Sequence, residues 1–292
     1  MKILLTGATG FIGQYVAESL INKGIDFVTI GRRVPNTNKQ HISADLLLTD
    51  SFDQILKTAQ ASHLIHLAWF AEHGKYWSSP LNDKWVKATT QLIEAFCKSG
   101  GQGVVVAGTC AEYDWSFGYC REQVTPINPK TLYGLAKDKT RKLAMSVCEQ
   151  NNVPCSWGRI FYPYGIGEQS QRLIPSLISA FRGEKSPFGV NSNEYRDLLY
   201  VHDVAEAFIC LLFSGQSGVF NVCSGKPVQI SDVVYKIAKL LDSNPKNILD
   251  LTTERAGEPS LLVGENLKLK SLGWKSKYTL DTGLEIVVKS LK

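Results

Sequence analysis

The sequence predicts an α/β protein: a doubly wound parallel sheet with helices on both faces and a smaller α/β lobe, mainly C-terminal. Three observations predict it. Short apolar runs alternate with helix-length amphipathic stretches through the first half of the 292 residues, as in strands joined by crossover helices. Such crossovers are right-handed, so helices cover both faces of the sheet. A glycine-rich turn, Gly7-Ala8-Thr9-Gly10-Phe11-Ile12-Gly13, joins the first apolar run to the first helix. After Pro163 the alternation loosens. Residues 163–195 and 223–292 therefore read as a substrate-binding lobe beside a main domain of residues 1–162 and 196–222.

The elements follow in order. Residues 3–6 form a short apolar run ending in glycine, the mark of a buried strand. Residues 11–22 place Phe11, Ile12, Val16, Leu20 and Ile21 at helical spacing, and Gly24 ends the helix. Residues 27–30, 42–44, 63–67 and 103–107 read as strands two to five. Residues 51–59 and 83–98 read as the helices between them. A long helix over 131–151 leads to a sixth strand at 155–160. Beyond it come helices at 173–182, 204–213, 230–241 and 280–291, and strand-like runs at 198–201 and 219–222.

Composition is that of an ordinary globular protein, 44% hydrophobic and 20% charged, with enough chain for a sizeable core. The net charge of +5 is too small a bias to suggest a nucleic-acid partner. Seven cysteines, at 97, 110, 120, 148, 155, 210 and 223, form no Cys-x-x-Cys pair, and the five histidines are dispersed. Neither a metal site nor a disulfide framework is expected; reduced thiols suit a cytoplasmic protein. No apolar run approaches the ~20 residues of a membrane span, and the first residues enter the glycine motif directly. The expectation is a cytoplasmic protein without a membrane partner.

The glycine turn carries the first functional expectation. One glycine allows a tight turn, a second lets the backbone approach a pyrophosphate, and a third lets the helix pack closely. The helix N-terminus offers free N–H groups and a positive dipole end. Gly7, Thr9, Gly10, Phe11, Ile12 and Gly13 are thus candidates to hold a dinucleotide in a Rossmann-type domain. An acidic residue at the end of the second strand would hold the ribose 2′-hydroxyl of NAD. Here Ile30 is followed by Gly31-Arg32-Arg33. Guanidinium groups clamp a 2′-phosphate, so the expected cofactor is NADP(H), bound by Arg32 or Arg33.

Tyr133 and Lys137 stand four residues apart on a predicted helix, hence on one face. A phenol is a poor acid at neutral pH; a neighbouring ammonium lowers its pKa and can also fix a ribose. Thr109, at the tip of the fifth strand, is the candidate to orient a reacting oxygen. Trp69, Trp77, Trp85 and Trp115, with Tyr76, Tyr113 and Tyr119, cluster in segments beside this site and could stack on a base or sugar.

Together these segments resemble the extended short-chain dehydrogenases/reductases of the NAD-dependent epimerase/dehydratase family, and among them the nucleotide-sugar 4-ketoreductases. The likeness runs through Asp45-Leu46, Arg159-Ile160-Phe161-Tyr162-Pro163-Tyr164-Gly165, residues 196–203, residues 255–259 and Leu272-Gly273-Trp274. The resemblance implies Thr109, Tyr133 and Lys137 as the catalytic group. It implies Asp45 and Leu46 near the adenine, and Leu67, Ala68 and Trp69 along the cofactor. Thr109, Cys110, Tyr162, Arg196 and Arg255 would meet the substrate, the two arginines on its diphosphate. A homodimer through the 83–98 and 131–151 helices is the family habit. Two departures stand out: Trp85 replaces an asparagine in the helix before the fifth strand, with Asn82 off register, and Tyr162 replaces another.

The resemblance also frames the reaction. Hexose 4,6-dehydratases of this family carry an acidic pair straight after the threonine; Cys110 and Ala111 stand there, and Glu112 lies one residue too far. The favoured expectation is NADPH-dependent reduction of the C4 ketone of a dTDP-, CDP- or GDP-linked 4-keto-6-deoxyhexose, for a surface polysaccharide such as O-antigen. The alternatives are a nucleotide-sugar 4-epimerase with tightly held NAD(P) and a non-catalytic NADP-binding regulator.

Overall fold

A computed structural model describes residues 1–37, 39–253 and 259–291. In chain order it contains β1 (Lys2–Thr6), α1 (Phe11–Asn22), β2 (Asp26–Gly31), β3 (His41–Ser43), α2 (Asp53–Ala59), β4 (His63–His66), α3 (Leu81–Lys98) and β5 (Gly103–Thr109). It continues with β6 (Tyr119–Cys120), α4 (Leu132–Gln150), β7 (Cys155–Ile160), β8 (Tyr162–Tyr164), α5 (Leu173–Phe181), β9 (Tyr195–Arg196), β10 (Leu198–Tyr200) and α6 (Val201–Ser214). The chain closes with β11 (Gly218–Val222), β12 (Val228–Gln229), α7 (Ile230–Leu240), α8 (Lys246–Leu249), β13 (Leu261–Gly264), α9 (Leu267–Lys270) and α10 (Leu280–Ser290).

Seven strands form one sheet in the order β11-β7-β5-β4-β1-β2-β3, and every neighbouring pair in it is parallel. The order reverses at β1, between β4 and β2. In an open α/β sheet that switch point is where ligands bind, beyond the carboxyl ends of the strands. Both faces are covered. Val16, Leu20, Phe208 and Leu212 of α1 and α6 pack with Ile3, Leu5 and Val105 on one face. Leu92, Phe96 and Cys148 of α3 and α4 pack with Leu4, Val28 and Val104 on the other. Burial on both sides explains why β1 and β5 read as continuous apolar runs.

A third cluster, around Leu177, Val233, Ile237 and Val287, joins α5, α7 and α10. Two short sheets, β10-β8 and β12-β9-β13-β6, connect it to the main sheet. Two buried carboxylates tie these parts together. Asp197 accepts from the Ser224, Gly225 and Gly264 amides. Asp203 accepts from the Lys277 and Tyr278 amides at 2.9 and 3.1 Å. Leu269 and Trp274 pack under the main sheet with Phe220.

The structure adds to the sequence reading mainly in short pieces. β6, β8, β9, β12 and β13 are two to four residues long, too short for alternation to register. Helix α3 begins two residues earlier than expected, directly behind Pro80. Helix α6 starts at Val201 without a loop after β10, where Leu198–Val201 had read as a strand.

Candidate active site

The glycine turn stands where the order of the sheet reverses. Gly7 has φ +74°, and a Cβ there would lie 2.8 Å from the Ala68 amide nitrogen. A Cβ on Gly13 would lie 2.0 Å from the Gly7 carbonyl oxygen, so the third glycine lets α1 close on the turn. No acidic side chain occupies the first turn of α1, and no side chain caps it. Its leading N–H groups are therefore available to an anion, and nothing there repels one.

A cavity of about 720 Å³ opens from this turn. Its walls include Gly7, Thr9, Gly10, Phe11, Ile12 and Gly13, the Arg32-Arg33 pair, Asp45-Leu46, Leu67-Ala68-Trp69, and finally Thr109 and Tyr133. The sequence-predicted cofactor residues are thus brought to one surface, apart from Lys137, which is buried behind it. Arg32 is exposed, with one Nη 3.9 Å from an Asp45 carboxylate oxygen. A dinucleotide cofactor fits what is present: a cradle that a Cβ would fill, a bare helix N-terminus, and cations at the far end.

β4 is registered against the turn by a hydroxyl. Thr6 Oγ accepts from the Leu67 and Ala68 amides, both at 3.1 Å, so its proton points to His66 Nδ1, 2.9 Å away. His66 Nε2–H then donates to Thr89 at 2.9 Å. Burial holds the imidazole far down, at about 3, with the Lys137 charge adding to the effect.

At the other end of the cavity α4 meets β5. Thr131 caps α4 by accepting from the Gly134 amide at 3.0 Å. A Cβ on Gly134 would lie 2.4 Å from the Ala111 carbonyl oxygen, so only glycine lets the helix abut the strand tip. Tyr133 is thereby set beside Thr109, and both side chains line the cavity. Tyr76, Trp77 and Trp69 pack edge-on around the phenol at centroid distances of 4.8, 5.8 and 6.4 Å.

Lys137 departs from expectation. Its Nζ donates to the Ala107 carbonyl at 2.8 Å and sits 3.8 Å above the Trp69 ring. Burial pushes the Tyr133 phenol up, rather than the lysine pulling it down. The same burial lowers Lys137 to about 7, against a smaller opposing pull from Glu112. A desolvated ammonium loses its charge readily, so it tunes the phenol less than a solvated one would.

The two departures from the family pattern acquire places. Asn82 is buried on α3, accepts from Trp69 Nε1 at 2.9 Å and donates to the Tyr76 carbonyl at 2.7 Å. Trp85, one turn on, stacks on Trp69 with centroids 5.9 Å apart. Asn82 therefore acts as a clamp for the aromatic wall under Lys137. Tyr162 lines a second cavity, with the Arg196 guanidinium 5.7 Å from its ring centre.

Glu112 is sealed away from the reacting centre. It accepts from the Thr109 amide, Trp157 Nε1 and Arg159 Nε at 2.9, 2.9 and 2.7 Å and is fully buried. The Arg159 guanidinium in turn lies 4.3 Å from the Tyr113 ring centre. Cys110 lines neither cavity; it packs with Tyr113, Cys120 and Phe161, because the chain turns inward in a short 3-10 turn after β5.

The second cavity, of about 450 Å³, adjoins the first. Arg196 lies in its wall but already pairs with Glu194 and donates to the Pro259 carbonyl at 2.8 Å. Arg255 falls outside the described residues. Sequence reasoning missed Glu168 and Arg172, which line both cavities. The signal was a Glu–Arg pair at i,i+4 spacing just before a helix. Their side chains approach to 3.3 Å. No group of histidine, cysteine and acidic side chains among the described residues could hold a metal, and no described helix is long and apolar enough to cross a membrane.

The profile of the NAD dependent epimerase/dehydratase family matches residues 3–223. The chain belongs to that family. It is 30% identical over 243 residues to the dTDP-6-deoxy-L-talose 4-dehydrogenase (NAD(+)) of Aggregatibacter actinomycetemcomitans, covering 80% of this chain and 88% of that one. It is 28% identical to a trifunctional UDP-glucose 4,6-dehydratase/UDP-4-keto-6-deoxy-D-glucose 3,5-epimerase/UDP-4-keto-L-rhamnose-reductase of Arabidopsis thaliana. There it covers 97% of this chain but spans only 46% of the plant protein. Among solved structures, MoeE5 in complex with UDP-glucuronic acid and NAD superposes with a TM-score of 0.84 at 28% identity, over 99% of this chain and 98% of that one. The family modifies nucleotide sugars with nicotinamide cofactors.

Proposed function

We propose that this protein reduces the C4 ketone of a nucleotide-linked 4-keto-6-deoxyhexose with NADPH. The observation that carries the reading is the Thr109–Tyr133 hydroxyl pair in the cofactor cavity, with Cys110 and Ala111 where a dehydratase would need acids. When bound, the nicotinamide supplies the hydride. The Tyr133 hydroxyl donates its proton to the carbonyl oxygen as charge develops there. Thr109 hydrogen-bonds the same oxygen. A phenol whose pKa burial has raised stays protonated at neutral pH, as a proton donor must. Lys137 holds the Ala107 carbonyl and the Trp69 ring, and so keeps the wall under the nicotinamide in place.

Arg32 and Arg33, exposed in the cofactor cavity with no acidic residue at the end of β2, support the 2′-phosphate and hence NADPH. A 4-epimerase would use the same Tyr133 and Thr109, so the family name keeps that second reading open. The test is to incubate the protein with NADPH or NADH and dTDP-, CDP-, GDP- and UDP-linked 4-keto-6-deoxyhexoses, following cofactor absorbance and product NMR. Oxidation of NADPH with formation of a C4 alcohol is expected. No oxidation with any of them overturns the reading; C4 inversion of a nucleotide hexose without net oxidation selects the epimerase. The reading extends to a homodimer: α3 and α4 pack side by side, and Leu135 and Leu143 of α4 are exposed. Light scattering at micromolar concentration should give twice the chain mass.

A further inference from the structure

Glu168 stands apart from the groups used so far. Its side chain is only 7% exposed. One oxygen meets Arg172 Nε at 3.3 Å, while the buried Oε2 has no hydrogen-bond partner. A buried acceptor left unpaired is costly, and a buried carboxylate more so. The residue lies in the walls of both cavities, between the one that holds Tyr133 and the second. Arg172, its partner, lines the first cavity, as does Tyr76, the ring packed at 4.8 Å on Tyr133.

The chemistry of the missing partner follows. Burial raises this carboxyl to about 7 against the opposing pull of Arg172, so an anionic phosphate, which has no proton to give it, leaves the oxygen unpaired, as an apolar group does. A neutral hydroxyl donor satisfies it. We infer that Glu168 recognises the sugar, its Oε2 accepting a hydrogen bond from a ring hydroxyl of the hexose presented to Tyr133, with Arg172 fixing the other oxygen. This rests on the nucleotide-sugar reading. It also assigns directions along the substrate: hexose between Tyr133 and Glu168, diphosphate and base further into the second cavity.

The experiment compares ligands that differ only in the sugar. Dissociation constants of UDP-glucose against UDP, and of dTDP-glucose against dTDP, are measured by calorimetry for the wild type, Glu168→Ala and Glu168→Gln, each saturated with NADP+. Glu168→Ala should weaken the sugar nucleotide by ~10–100-fold, the range for a hydrogen bond to a charged group, and leave the bare diphosphate unchanged. Glu168→Gln, which keeps the shape, should fold as the wild type does and show a smaller loss in the same direction. With the keto-sugar that the enzyme turns over, both variants should raise KM more than they lower kcat. Equal losses for sugar nucleotide and bare diphosphate, or no loss for either, overturn the assignment. Failure of the wild type to bind either pair overturns the nucleotide-sugar reading itself, and this inference with it.

Discussion

At the glycine turn, seven consecutive residues build the cradle, and one strand and one helix hold it. In the second cavity the wall is assembled from His73, Tyr162, Glu168, Arg172 and Arg196, residues brought together by short strands and buried carboxylates. The first site is specified by local spacing: Gly7 and Gly13 are required because backbone meets backbone there. The second depends on long-range contacts, such as Asp197 accepting from Ser224 and Gly264 and Asp203 from Lys277 and Tyr278. Local specification leaves a readable motif. Long-range specification leaves scattered polar residues whose roles emerge only once they are folded together.

The largest test of this contrast lies at the border of the two sites. Tyr133→Phe removes the proton donor and leaves the ring in its aromatic box. It should lower kcat by ~10²–10⁴-fold with NADP(H) affinity unchanged, measured by steady-state kinetics and cofactor fluorescence. A variant as active as the wild type would mean that Tyr133 is not the proton donor.

Next in size is the buried network behind Thr109. Glu112→Ala leaves Arg159 charged, buried and without its carboxylate, and should destabilise the fold by ~3–5 kcal/mol, read by denaturant unfolding. Exchanging the arginines of the cofactor site has a smaller effect. Arg32→Ser with Arg33→Ser should raise KM for NADPH by ~10–100-fold, as expected for lost charge-assisted bonds, and leave KM for NADH nearly unchanged. An equal rise for both cofactors would mean that the arginines only shape the loop.

The sheet and its crossover helices were legible because strands buried on both faces and helices with one apolar stripe leave periodic patterns, and the residues of the glycine turn do line one cavity. The Tyr133–Lys137 spacing was legible too, but the geometry of Lys137 was not. Nothing local records that its ammonium lies on Trp69 and the Ala107 carbonyl, or that Asn82 fastens that tryptophan. Glu168 and Arg172 were not legible as site residues, since their burial is created by elements distant in sequence. The family resemblance put Cys110 toward the substrate; the turn after β5 instead carries it into the core.

The last test isolates that hidden geometry. Lys137 has its pKa lowered to about 7 in the folded protein, from an ordinary value of 10.5, chiefly by burial. Between those two values the unfolded chain binds a proton that the folded protein has released. Stability from this group therefore rises with pH from about 7 towards 10.5, and is flat below 7, where both states are protonated. Lys137→Met replaces the buried ammonium with an apolar chain of similar length. Without cofactor, the variant should be the more stable protein at pH 6.5, and its advantage should shrink as pH rises to 9.5, both read from urea midpoints. A constant difference across that range would mean that Lys137 is solvated and charged throughout. In that case the lysine would tune Tyr133 through its charge after all, and the two halves of the site would be less different than their packing indicates.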